Sequence, residues 1–180
     1  SDPPFFICRG RDSAAYFCIF PLGLFTLDGT GGERMRIAVI GEGKGKAARY
    51  LQELAAQQGI CLEQVPLEKG GVYDVVLAGP MAAKAEVPDC RTYALVAYGK
   101  DAARLSHCLQ AQTVITYGTE KSTLSLSSTE GGGMVSQQRE IMDISGSAQP
   151  IGEIRLPEGL PSQWVCGAAG ALLACGWKGM

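Results

Sequence analysis

The sequence predicts an α/β protein: a three-layer sandwich of helices on both faces of a mostly parallel sheet, with an antiparallel hairpin extending it. Three observations carry this. A short apolar run at 36–40 leads through a glycine cluster into a segment of helical period. Apolar runs then alternate with a further helical segment as far as Tyr117, the pattern of a parallel sheet with covering helices. Beyond Tyr117 the period drops to two, which suits a half-exposed antiparallel strand.

Arg36-Ile37-Ala38-Val39-Ile40 is apolar and β-branched enough for a strand buried on both faces. The helix at 47–58 follows, because Ala47, Tyr50, Leu51, Leu54 and Ala55 recur at three- and four-residue spacing and Gly59 is placed to end it. Strands are expected at 61–65, 73–78 and 92–97, a helix at 101–110 and a strand at 113–117. Ser122-Thr123-Leu124-Ser125-Leu126-Ser127 alternates as a hairpin strand does. Thr129-Glu130-Gly131-Gly132-Gly133 supplies its turn, 134–141 the return strand and 151–156 an edge strand. A small-residue helix at 164–177 closes the fold, with Gly167 and Gly170 permitting close packing. The expected core is Ile37, Val39, Leu51, Leu54, Val75, Val76, Leu95, Val96, Val114 and Ile115.

Composition bounds the partners. A chain of 180 residues with 46% hydrophobic content builds one sizeable core, so a single domain is expected over 35–180. A net charge of −2 argues against nucleic acid or an anionic membrane attracted by bulk charge. The apolar runs fall short of the roughly 20 residues that cross a bilayer. Seven scattered cysteines without a C-x-x-C pair imply neither a disulfide framework nor a zinc site, and point to the reducing cytoplasm. His107, the lone histidine, is expected to be an ordinary helix residue.

Residues 1–34 differ from the rest. All five phenylalanines lie there, and Gly31-Gly32-Glu33-Arg34, just before Met35, can be encoded by a purine run resembling a bacterial ribosome-binding site. The segment is therefore expected to be upstream sequence read in frame, with Met35 as the natural start. A genuine extra arm and a targeting peptide are the alternatives, the second weakened by Asp2 and Asp12 beside its basic residues.

The stretch that can carry chemistry is Gly41-Glu42-Gly43-Lys44-Gly45-Lys46-Ala47. A glycine-rich turn between a strand and a helix aims backbone N–H groups and the helix dipole at one point, which makes an anion site. As a dinucleotide fingerprint, Gly43, Gly45 and Ala48 match G-x-G-x-x-A, with only Glu63 or Glu68 available as the later acid. As a phosphate loop, Gly45-Lys46 is followed by Ala47 where a hydroxyl should hold Mg²⁺. A turn needing glycine only for its backbone and packing is the competing reading.

Residues 37–47 resemble the opening of the central, ATP-binding domain of the Mur ligases, whose loop reads G-T-N-G-K-[ST]. Leu95-Val96-Ala97-Tyr98-Gly99-Lys100-Asp101 resembles the family's later strand and N-x-D-D segment, and Thr113-Val114-Ile115-Thr116-Tyr117-Gly118 its V-I-T-Y-G strand. The resemblance covers roughly 35–160 and implies a Rossmann-like or P-loop-like fold, a bacterial cell-wall setting and ATP or another nucleotide as ligand. It also implies lost catalysis. Ala47 replaces the metal-binding hydroxyl, Tyr98 stands at the asparagine position and Lys100 at the first acid. The expectation is a non-ligating domain that binds a small phosphate-bearing ligand through Gly41, Gly43, Lys44, Gly45, Lys46 and Ala47, without catalytic or metal-binding residues. The alternative is a minimal Rossmann-like enzyme using NAD(P) or another nucleotide on the same loop.

Overall fold

A computed structural model of the chain describes residues 34–42 and 45–179. The expectation about residues 1–34 lies outside the described residues, save that Arg34 already belongs to the first strand. The elements are β1 (Arg34–Ile40), α1 (Lys46–Ala56), β2 (Cys61–Gln64), β3 (Val72–Ala78), a 3-10 turn (Ala82–Lys84), β4 (Arg91–Tyr98), α2 (Ala102–Cys108) and β5 (Ala111–Tyr117). Then come β6 (Leu124–Ser128), β7 (Gly133–Gln137), β8 (Ile141–Met142), β9 (Ala148–Gln149), β10 (Gly152–Leu156) and α3 (Ser162–Ala174).

Eight strands form one sheet in the order β10-β7-β6-β5-β4-β3-β1-β2, and β8 and β9 pair in a separate small hairpin. The block from β2 to β5 is parallel, β5 and β6 meet in parallel only at Tyr117 and Leu124, and β6, β7 and β10 are antiparallel. This is the expected architecture. The strand order reverses between β1 and β3, whose carboxyl ends therefore flank the point where ligands enter open α/β sheets.

The sheet has a core on each face. On one, α1 and α3 bury Ile37, Val75, Leu77, Val96, Ile115 and Leu124. On the other, α2 and the 3-10 turn cover Ala38, Val76, Leu95 and Ala97. Gly167 and Gly170 do lie against the sheet: a Cβ at Gly170 would sit 2.8 Å from Val96 Cγ1, and one at Gly167 3.0 Å from Leu77 Cδ1. Among the described residues, no helix is long and apolar enough to cross a membrane.

Two core expectations need correcting. Val114 is 38% exposed, and Val39 is only half-buried. Ile115 points to the α3 face, so Val114 points to the other, where the seven residues of α2 do not cover it. Strand ends also shift, as at β7, where the return strand stops at Gln137 and the chain turns before β8.

Candidate anion site

Gly41 leaves β1 at φ +78, and a Cβ there would lie 2.6 Å from the Ala82 backbone nitrogen. The turn after β3 therefore packs directly on the turn after β1, and both the conformation and the space require glycine. Gly45 caps α1 from the left-handed region at φ 64 with no side-chain hydrogen bond of its own. Gly43 and Lys44 lie outside the described residues. Lys46 is exposed at the first position of α1, and Ala47 is buried one residue on.

The Ala47 N–H is already used. It donates to Glu42 Oε1, a carboxylate folded back from the turn onto the helix N-terminus. The macrodipole favours a negative charge there, so the protein's own side chain occupies the seat predicted for an external anion. The second oxygen, Oε2, is buried with no hydrogen-bond partner among the described residues. Sequence reasoning left Glu42 out of the site. Its signal was an acid three residues before the helix N-cap, close enough to fold back onto the first N–H groups.

Beside the turn, a cavity of about 430 Å³ runs along the outer face of α1, lined by Lys46, Arg49, Tyr50, Glu53, Pro157 and Gly159 among others. The loop before α3 closes it: Tyr50 Oη donates to the Pro157 carbonyl at 2.6 Å. Burial pushes the Tyr50 phenol up to about 12, so it stays a neutral donor. Lys46 and Arg49 place two cations on the cavity wall, one helical turn apart, beside Glu53 and Glu158.

The positions that resemble the later Mur segments meet elsewhere on the same sheet edge. Tyr98 and Tyr117 end neighbouring strands, their rings edge to face at 5.9 Å, and line a second cavity of about 260 Å³ with Pro80, Gly118, Leu126 and Cys166. Tyr117 Oη donates to the Ala78 carbonyl at 2.7 Å, and burial raises its phenol. Gly118, at φ +82, is fixed by the Tyr98 ring, which would stand 2.1 Å from a Cβ. Burial also pushes the Cys166 thiol up to about 11, which leaves it protonated and unreactive near neutral pH. Lys100 is exposed beyond β4, and His107 is exposed on α2.

Among the described residues, Lys46 and the two tyrosines line separate cavities, although the glycine turn and the tyrosines both sit at the carboxyl edge of the parallel strands. Among the described residues, no group of three or more His, Cys, Asp or Glu side chains is placed to hold a metal ion. No known protein family, curated protein or solved structure matches the chain significantly.

Proposed function

We propose that the protein is a cytoplasmic binding module for a small phosphate-bearing ligand, a nucleotide such as ATP, held without turnover at the turn between β1 and α1. The observation that carries this is the Glu42 carboxylate on the Ala47 N–H: an oxyanion is seated where the helix dipole and the glycine turn favour one. Lys46, next to Ala47, and Arg49, one helical turn on, supply positive charge for the remaining phosphate oxygens. Glu42 then acts as a resident competitor that the ligand displaces. Turnover is not part of the reading, because phosphoryl transfer needs a positioned metal and Ala47 offers magnesium no hydroxyl.

The same reading makes the chain a reduced relative of the Mur ligase central domain, with a bacterial cell-wall setting. In its support, the three resembling segments form β1, the end of β4 and β5, whose carboxyl ends share one edge of the sheet. Titration calorimetry with ATP, a UDP-sugar, NAD and inorganic phosphate, with phosphate release followed in parallel, tests it. Binding of a phosphate-bearing ligand, tightened by Glu42→Ala and without release of phosphate, is expected. Failure of every ligand to bind either protein would sink the site, and magnesium-dependent turnover would refute the non-catalytic assignment. Ala47→Thr alone should not create a ligase, since Tyr98 and Lys100 remain.

A further inference from the structure

The far edge of the sheet is chemically self-complementary. β10 pairs with β7 on one side, and among the described residues no strand lies beyond it. It carries neither proline nor bulge, so its outward backbone groups form a regular template for another strand. Glu153 and Arg155 stand on one face, opposite Ser136 and Met134 of β7, so neither has a charged cross-strand neighbour. Ile154 lies between them on the opposite face, across from Val135. Just before the strand, Ile151 is 64% exposed, the most exposed large apolar side chain among the described residues.

We infer that β10 is a homodimer edge, pairing antiparallel with β10 of a second copy of this chain about a two-fold axis at Ile154. That axis sets Glu153 against Arg155 of the partner subunit, and Arg155 against Glu153 of the partner subunit, giving two cross-strand pairs of opposite charge. The other registers are unfavourable. An axis at residue 153 opposes Glu to Glu, and one at 155 opposes Arg to Arg. A one-residue slip sets Ile154 against a charge and mismatches the faces. Edge strands are commonly guarded by charge, but a guard of one sign repels every copy of itself. Opposite signs two residues apart attract a copy in this register alone.

The same axis brings Ile151 of the partner subunit against Pro157, covering the exposed isoleucine. Pro157 also lines the cavity along α1, so the interface borders that cavity, and the inference does not rest on the proposed function. Two five-residue strands make an interface smaller than the roughly 1,600 Å² of a standard one, which fits a reversible dimer.

Sedimentation equilibrium on the full chain, over roughly a hundredfold range of concentration, tests this. The unaltered protein should dimerise with rising concentration. Glu153→Arg, which opposes arginine to arginine, should weaken association at least about tenfold, and Arg155→Glu should do the same from the other side. The double reversal, Glu153→Arg with Arg155→Glu, should restore affinity to within about threefold, a rescue that generic loss of charge cannot give. Both side chains are exposed, and thermal melts verify that each variant folds. A protein that stays monomeric throughout overturns the inference. So does a dimer indifferent to either single reversal, or one that the double reversal fails to restore. Hydrogen exchange gives an independent arm: β10 amides should become protected as concentration rises, and protection already complete in the dilute monomer would mean that the chain covers this edge itself.

Discussion

α1 and α3 lie side by side on one face of the sheet and divide its work. α3 is apolar all round: every residue from Trp164 to Ala174 is buried, because the helix packs on the strands and α1. α1 buries one stripe, Ala47, Ala48, Tyr50, Leu51, Leu54 and Ala55, and turns Lys46, Arg49 and Glu53 to solvent. Their N-termini differ in the same sense. α3 starts after Pro161 with no side-chain cap, whereas Glu42 is folded onto the start of α1. The contrast separates a helix shaped all round by packing from one whose outer face is exposed and whose first turn carries the chain's own carboxylate.

The largest expected effect tests the packing half. Gly170→Val places its Cβ 2.8 Å from Val96 Cγ1 and 3.0 Å from Leu124 Cδ1 and adds two methyl groups where α3 meets the sheet. Overpacking of this kind should cost about 3 kcal/mol of folding stability by urea denaturation. Glu53→Ala, on the open face of α1, should shift stability by less than about 0.5 kcal/mol. Equal losses from the two substitutions would erase the distinction.

The binding half predicts the reverse asymmetry. Lys46→Ala should weaken a bound phosphate ligand by about 2 kcal/mol, near thirtyfold in Kd, while leaving the melting transition in place. Calorimetry and thermal melting on one preparation decide this, since a loss of binding matched by a loss of stability would make Lys46 a structural residue.

Much of this division was legible in the sequence. The three- and four-residue spacing of Leu51, Leu54 and Ala55 marked the buried stripe of α1, and Gly167 and Gly170 marked α3 as a closely packed helix, because both signals are local. Val114 was not legible: a β-branched apolar strand residue has the same pattern whether or not a helix covers it, and coverage depends on how far α2 reaches. Glu42 was hidden for a related reason. The glycines announce an anion site, but whether the anion is foreign or the chain's own depends on how the turn folds back. The separation of Tyr98 and Tyr117 from that turn likewise follows from strand order, which short motifs do not encode.

Asp143 sharpens the account of how α3 is held. Its carboxylate accepts hydrogen bonds from Ser145 N, Ser145 Oγ, Ser147 N and Gln149 Nε2, and the next residue, Ile144, donates its N–H to the Ala174 carbonyl at the helix end. Burial alone would raise this carboxyl, but the four donors outweigh it and hold it below the ordinary range. Because the folded value lies below the unfolded one, the stabilisation is complete above about pH 4 and fades as pH falls through the folded value. Asp74 runs the other way: burial raises it despite Arg36, so its contribution is lost as pH rises through its folded value. Asp74 is common to both proteins when the unaltered chain is compared with Asp143→Asn, so it cancels. The difference should be about 1 kcal/mol near neutral pH and shrink in acid. An advantage constant with pH would detach the carboxylate from the hold on α3.

The smallest effect converts one helix start into the other. Glu42→Ala leaves α1 without a side-chain cap, as α3 already is. Loss of a capping acceptor alone costs about 1 kcal/mol. Among the described residues Glu42 Oε2 is buried without a hydrogen-bond partner, so keeping the carboxylate carries a desolvation cost that the substitution relieves. The two terms oppose, and net folding stability should change by less than about 0.5 kcal/mol. Phosphate affinity should still rise, because the Ala47 N–H becomes free. A full capping loss of about 1 kcal/mol or more, with no gain in affinity, would make Glu42 a plain structural cap. Near-neutral stability with tighter binding would make it a competitor that the ligand must displace.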